Sequence, residues 1–355
     1  MMGQMHDFNP KITKIQNVLG DSVPRFRLDQ VAEAIYKKHI SKFSDISTLP
    51  IFSREKLEET VGDTLSLTVA RESIGQQSHK VLFSTKEGDQ KIEAVRMTYL
   101  PNANRKHVHY SLCVSSQSGC ALGCTFCATG AVGFKKNLTA EEITDQVLYF
   151  LQKGLPIDSI VFMGMGEPFS NPHLFDALKI LTHEDFFAMS PRRISVSTVG
   201  IIPGIERLIK EYPQMNLAFS LHSPFNEERL SIMPVNQSYP IESVMQTINK
   251  YVVETNNRVF IAYILLKGVN DSPKHAEALA ELIKGQGSKS YLYHVNLIRF
   301  HPGSTLETYQ KPEDSSVNKF MSILTNHGVK NTLRQSFGLD IDGACGQLYG
   351  EYERK

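Results

Sequence analysis

Three cysteines within one short stretch, Cys120, Cys124 and Cys127 in the order C-x3-C-x2-C, constrain this chain more than any other feature. They follow an apolar run from Tyr110 to Val114 that reads as a strand feeding a loop. Thiolates so spaced can converge on one iron-sulfur cluster and leave one iron without a protein ligand, open to a cofactor. The competing reading is a structural zinc site. Such sites usually take four ligands, often from two C-x2-C-like pairs, and the sequence has no second pair.

The 355 residues suit a barrel-like domain of about 200 to 250 residues plus a smaller one. The start from Met1 to Lys11 is polar, and no uninterrupted apolar run approaches the roughly 18 residues of a membrane span, so a cytoplasmic protein without membrane contact is expected. In a reducing compartment, five cysteines point to metal or catalytic use rather than a disulfide scaffold. With a net charge of +1, any nucleic-acid binding rests on local patches.

Residues 1–65 mix apolar and charged positions at helical spacing, broken by Pro24 and Pro50, and are expected to form a small helical domain. Its Arg25, Arg27, Lys37 and Lys38 are either an RNA contact or a solvated face. Within 66–108, Val81–Ser84 and Ile92–Met97 flank the polar turn Lys86–Asp89 and read as a β-hairpin. Glu93 sits inside its second strand, facing either solvent or a cavity. Over 109–335, short apolar strands near 109–114, 158–163, 192–198, 215–221, 258–265 and 291–299 alternate with amphipathic helices. That is the pattern of parallel βαβ units. Thr139-x-x-Glu142 looks like a capping box, and Pro172, Pro203 and Pro240 lie near helix starts. The expected fold is α/β, a partial (β/α)6 barrel, with 336–355 as a C-terminal loop.

Working residues in such barrels come from the carboxyl ends of strands, and that is where unusual ones cluster. Met163–Pro168 includes Gly164, Gly166 and Glu167; Ser197 closes the third strand; Ser220, Leu221 and His222 close the fourth; His301 follows the sixth. Each has a plain alternative: a glycine-rich turn is often only geometry, and a lone histidine is often a satisfied structural one. Cys113 and Cys345 lie outside the triple motif and could be buried small hydrophobes. Cys345, flanked by Gly343, Gly346 and acidic Asp340 and Asp342, reads instead as an accessible loop cysteine.

In order and spacing, five segments resemble the Cfr and RlmN group of radical S-adenosylmethionine RNA adenine methyltransferases. They are Cys113–Gln117, Lys136–Thr139, Gly164–Glu167, Ser220–His222, and Asp340–Asp342 leading to Cys345–Leu348. The resemblance implies a [4Fe-4S] cluster on Cys120, Cys124 and Cys127, with S-adenosylmethionine chelated at the open iron. Gly166, Glu167, Ser197, Ser220, Leu221 and His222 would hold that cofactor. His301 would join them, standing where close relatives carry Asn. One S-adenosylmethionine would methylate Cys345; a second, cleaved by an electron from the cluster, would give a radical that takes hydrogen from that methyl group. The methylene would add to an adenine carbon, Glu93 would remove the proton, and Cys113 would attack Cys345 to free the RNA. Implied partners are 23S rRNA and an electron donor such as flavodoxin, with the protein a monomer.

The group has two outcomes, methylation at C2 or at C8 of one adenine in the peptidyl transferase centre, the second giving antibiotic resistance. Glu141–Phe150, Ser190–Arg193, Glu211–Gln214 and Tyr293–Arg299 look closer to the C8 type; Pro168 is the C2-type residue. C8 is the expectation. Two rivals remain at this level: another radical S-adenosylmethionine enzyme, which would need neither Cys113 nor Cys345, and a non-catalytic iron-sulfur RNA-binding or redox-sensing protein, which would not need Glu167 and the strand-end serines.

Overall fold

The computed structural model describes residues 8–20, 23–103, 105–301, 309–338, 341 and 348. Its N-terminal part is α1 (Pro10–Leu19), α2 (Arg25–Tyr36) and α3 (Ile51–Val61). Pro24 and Pro50 cap the second and third of these helices, as the breaks in sequence pattern anticipate. Three antiparallel strands follow, β1 (Leu67–Ile74), β2 (Ser78–Thr85) and β3 (Lys91–Tyr99), the last pairing with β4 (His109–Cys113). The expected hairpin is therefore part of a three-stranded wing that continues into the main sheet.

Beyond β4 come a two-residue pair, β5 (Gln117–Ser118) and β6 (Lys136–Asn137), with α4 (Ala128–Val132) between them. Then strands and helices alternate: α5 (Ala140–Gln152), β7 (Ser159–Phe162), α6 (Leu174–Thr182), β8 (Ile194–Thr198), α7 (Ile202–Glu211) and β9 (Asn216–Ser220). The series ends with α8 (Asn226–Ile232), α9 (Ile241–Thr255), β10 (Val259–Leu265), α10 (Pro273–Lys284), β11 (Tyr293–Arg299), α11 (Asp314–Asn326) and β12 (Lys330–Leu333). Strands β4, β7, β8, β9, β10, β11 and β12 are parallel in that order. All six expected strands are present, and β12 adds a seventh that the six-unit reading lacked. With β1 and β12 at its two ends, the ten-stranded sheet is an open barrel. Near the gap, Gln335 Nε2 donates to Gln77 Oε1 at 3.0 Å.

The capping box forms as predicted: Glu142 N–H donates to Thr139 Oγ1 at 3.1 Å and Thr139 N–H to Glu142 Oε2 at 2.9 Å. The helix so fixed does two further things. Asp145 accepts from Lys11 Nζ at 2.8 Å and from Ser66 N–H at 2.7 Å, a buried pair that ties α1 and the start of the wing to the barrel. One residue on, Gln146 brackets the turn after β4, accepting from Ser115 N–H at 2.8 Å and donating to Ser115 O at 2.9 Å.

Candidate active site

The turn after β4 and the loop after β7 are zipped together. Ser116 and Gln117 N–H groups donate to Met165 O at 2.9 and 3.1 Å, and Met165 N–H returns to Ser115 Oγ at 2.9 Å. Gly166 sits at φ +94°, and a Cβ there would lie 2.5 Å from Gln117 Cβ, so only glycine lets the two segments touch. Gln117 then positions the next residue: its Oε1 accepts from Glu167 N–H at 2.9 Å, while its Nε2 is anchored on Asn137 Oδ1 at 2.8 Å.

The cysteine loop is folded back on itself at Gly119, whose Cβ would fall 1.8 Å from Gly133 O; Cys120 N–H donates to that same carbonyl at 3.2 Å. Its far side docks on the C-terminus of α8, where Thr125 N–H donates to Ile232 O at 3.0 Å. Cys120, Cys124 and Cys127 line one cavity at the carboxyl ends of the strands, together with Gly166, Glu167, Ser197, Ser220 and His222. The structure thus brings together eight of the residues singled out by sequence.

Burial pushes the Cys120 thiol up to about 11, and burial with the neighbouring Cys127 and Cys120 thiols pushes Cys124 higher still. Thiols raised in this way, as Cys120 and Cys124 are, resist ionising unless a cation shares the site. Among the described residues, no three His, Cys, Asp or Glu side chains surround a point where one metal ion would sit. An iron-sulfur cube takes one thiolate per iron, so its ligands stand further apart than those of a single ion. Three thiols lining one cavity are a donor set that such a cluster would take.

Glu167 is buried, and desolvation raises its pKa to about 7 against hydrogen bonds from Val199 N–H (3.0 Å), Thr198 and Phe169 N–H (3.2 Å). A carboxyl so placed favours a cationic neighbour, which would restore its ionised form. His222 is different. Burial, then Arg229, push its pKa down to about 3, and Nδ1 accepts from Ile264 N–H at 3.0 Å, so the ring is neutral with its proton on Nε2. It holds β9 to β10 and packs edge-on against Phe126 of the cysteine loop, centroids 5.0 Å apart. Leu221 is core, reaching the site only through its carbonyl, which accepts from Arg229 Nε at 2.9 Å.

A second, smaller cavity holds Cys113, His301 and Val95, and shares Met163, Ile298, Arg334 and Leu348 with the first. His301 is thus parted from the strand-end serines it was grouped with; its Nε2 pairs with Ser336 Oγ at 2.8 Å. Glu93 is buried on β3, with Lys80 Nζ 3.0 Å from its Oε1, which rules out the solvent-facing alternative. It alternates in step with Val95, which puts both on the face of β3 that carries Cys113's cavity. Cys345 lies outside the described residues. Leu348, three positions on, is buried in an apolar cluster with Val95, Met97 and Cys113, and its carbonyl accepts from Thr129 Oγ1 at 2.6 Å.

Sequence reasoning singled out neither Lys80 nor Arg229, and Gln117 entered only as the end of the Cys113–Gln117 segment, with no role attached. Nothing local in the sequence reveals that Lys80 and Arg229 are buried.

Residues 114–283 match the radical SAM superfamily. The ribosomal RNA large subunit methyltransferase Cfr of Staphylococcus aureus is 47% identical over 346 residues, covering 97% of this chain and 97% of that protein. The Cfr protein of Bacillus velezensis is 46% identical over 347 residues, with 97% of each chain covered. Among solved structures, a radical SAM methyltransferase from Sphaerobacter thermophilus superposes with a TM-score of 0.88 at 37% identity, covering 98% of this chain and all of that one. The chain belongs to the Cfr family of radical S-adenosylmethionine methyltransferases.

Proposed function

We propose that this protein methylates C8 of an adenine in the peptidyl transferase centre of 23S rRNA by way of a methylated Cys345, conferring resistance to antibiotics that bind there. The observation that carries the reading is the adjoining pair of cavities, one lined by Cys120, Cys124 and Cys127 and the other by Cys113, with Leu348 in the wall of both.

Cys120, Cys124 and Cys127 would hold the [4Fe-4S] cluster, and Glu167, Ser197 and Ser220 would receive the charged and hydroxyl groups of S-adenosylmethionine. When bound, that pair supplies the one-electron chemistry needed to attach carbon to a ring position that is not nucleophilic. The chain's own residues do the rest. Cys345, as thiolate, would attack the methyl carbon of one S-adenosylmethionine, release S-adenosylhomocysteine and carry the methyl group. Glu93, buried on the cavity side of β3, accepts the proton from the substituted adenine carbon. Cys113 attacks the Cys345 sulfur; a disulfide forms, the sulfur–methylene bond breaks, and the methylene carbon takes a proton to become the product methyl group.

Pro168 favours a second reading, methylation at C2 by an RlmN-type enzyme. Mass spectrometry of digested 23S rRNA from cells expressing the protein separates the two. The C8 reading expects 8-methyladenosine with raised drug resistance; 2-methyladenosine alone, with unchanged drug sensitivity, would overturn it.

A further inference from the structure

Arg229, on α8, is the bulkiest fully buried side chain among the described residues, and none of the acidic side chains among them pairs with it. Nε donates to Leu221 O at 2.9 Å, Nη1 to Asn236 Oδ1 at 2.7 Å and Tyr239 O at 3.4 Å, and Nη2 to Val199 O at 2.7 Å and Ser220 O at 3.2 Å. Every acceptor is a neutral oxygen. Neutral donors could clamp those strand ends as well, and a guanidinium taken out of water without an anion is strongly disfavoured. Its location supplies the missing anion. Val199 and Ser220, which it grips, line the cavity of the three thiols, and the last carbonyl of its helix holds the cysteine loop through Thr125. Burial lowers its pKa only to about 10, opposed by Cys124, so it is charged at neutral pH.

We propose that Arg229 is the fixed counter-charge of the cluster held by Cys120, Cys124 and Cys127, and that it raises the cluster's reduction potential. The inference rests on those cysteines holding a cluster. Reduction moves one electron from a low-potential one-electron donor to the cluster, breaks no bond, and makes the cluster with its thiolates more negative by one charge. A buried positive charge behind the cavity wall favours that reduced state.

The test reconstitutes the full chain anaerobically with iron and sulfide and titrates it with dithionite, following the reduced cluster by electron paramagnetic resonance. Arg229→Lys keeps the charge, Arg229→Gln removes it, and Asn236→Asp neutralises it through the contact at Nη1. The Gln and Asp variants should be at least tenfold harder to reduce at equal donor poise, a shift of about 59 mV downward, whereas the Lys variant should match the wild type. Thermal unfolding of the cluster-free proteins should group them differently, because Lys and Gln both lose the strand-end clamp. A Gln variant with wild-type potential, or Lys and Gln variants with the same potential, would overturn the proposal. If Arg229→Gln does not fold, Asn236→Asp decides alone, and an unmoved potential there rejects the counter-charge. Wild-type protein that takes up no iron would instead remove the cluster reading, and this inference with it.

Discussion

Lys80 Nζ and Glu93 Oε1 stand 3.0 Å apart on neighbouring strands, and both side chains are buried. Removing one partner of such a pair leaves the other charge in a poor solvent, at a cost of about 3–5 kcal/mol, whereas replacing both with apolar groups is often nearly neutral. Lys80→Met should therefore destabilise the protein by that amount in urea unfolding, and Lys80→Met with Glu93→Leu should recover most of it. If the double variant is as unstable as the single one, the pair is not what the lysine is there for.

His222 gives the protein a pH dependence of known sign. Its folded pKa, about 3, lies below the ordinary histidine value of 6.5, so neutral His222 contributes stability that is complete above pH 6.5 and lost as pH falls toward 3. At pH 5 the loss amounts to roughly 2 kcal/mol at about 1.4 kcal/mol per unit. His222→Asn is the informative substitution: asparagine tolerates the left-handed φ of 61° and its Oδ1 can accept from Ile264 N–H, but it does not titrate. Between pH 7.5 and 5, wild-type unfolding free energy should drop by about 2 kcal/mol more than that of the variant. Parallel curves would show that His222 does not carry this dependence.

The strands legible in the sequence are the apolar ones of the hairpin and the parallel series; of those that escaped notice, β5 and β6 are only two residues long, and β1 and β12 lack an apolar pattern. β1 is exposed along most of its length, and β12, Lys330-Asn331-Thr332-Leu333, has no residue fully buried, because both are edge strands with a neighbour on one side only. The cysteine loop, Gly166 and Glu167 were readable because their chemistry is local. Arg229 was not: its meaning comes from carbonyls on β8 and β9 that the sequence does not bring near it. His301 was grouped by strand order with the serines, but it lines the cavity of Cys113 and pairs with Ser336 instead.

Gly166 should separate cofactor binding from cluster binding. Gly166→Ala places a Cβ 2.5 Å from Gln117 Cβ and fixes alanine at φ +94°, a strain of about 1–3 kcal/mol that displaces Glu167 through Gln117. The three thiols lie on another loop. Iron content after reconstitution should stay near wild type while affinity for S-adenosylmethionine falls at least tenfold, measured by equilibrium dialysis. Equal loss of both would mean that the two loops form one cooperative unit.

Cys113 tests the last step of the proposed reaction. At the carboxyl end of β4 it is buried at the edge of the cavity it shares with Leu348. In the proposed reaction, Cys113→Ala would leave methyl transfer to Cys345, addition to adenine and proton removal by Glu93 untouched, and would remove only the thiol assigned to breaking the carbon–sulfur bond. The variant expressed in cells should purify with RNA bound through Cys345, visible as a nuclease-trimmed mass increase on the Cys345 peptide. Cys345→Ala, and Cys113→Ala combined with Cys120→Ala, should carry no RNA. Wild-type turnover by an RNA-free Cys113→Ala protein would sink the resolving role, and an adduct that forms equally without Cys120 would mean the carbon–sulfur bond arises without the cluster.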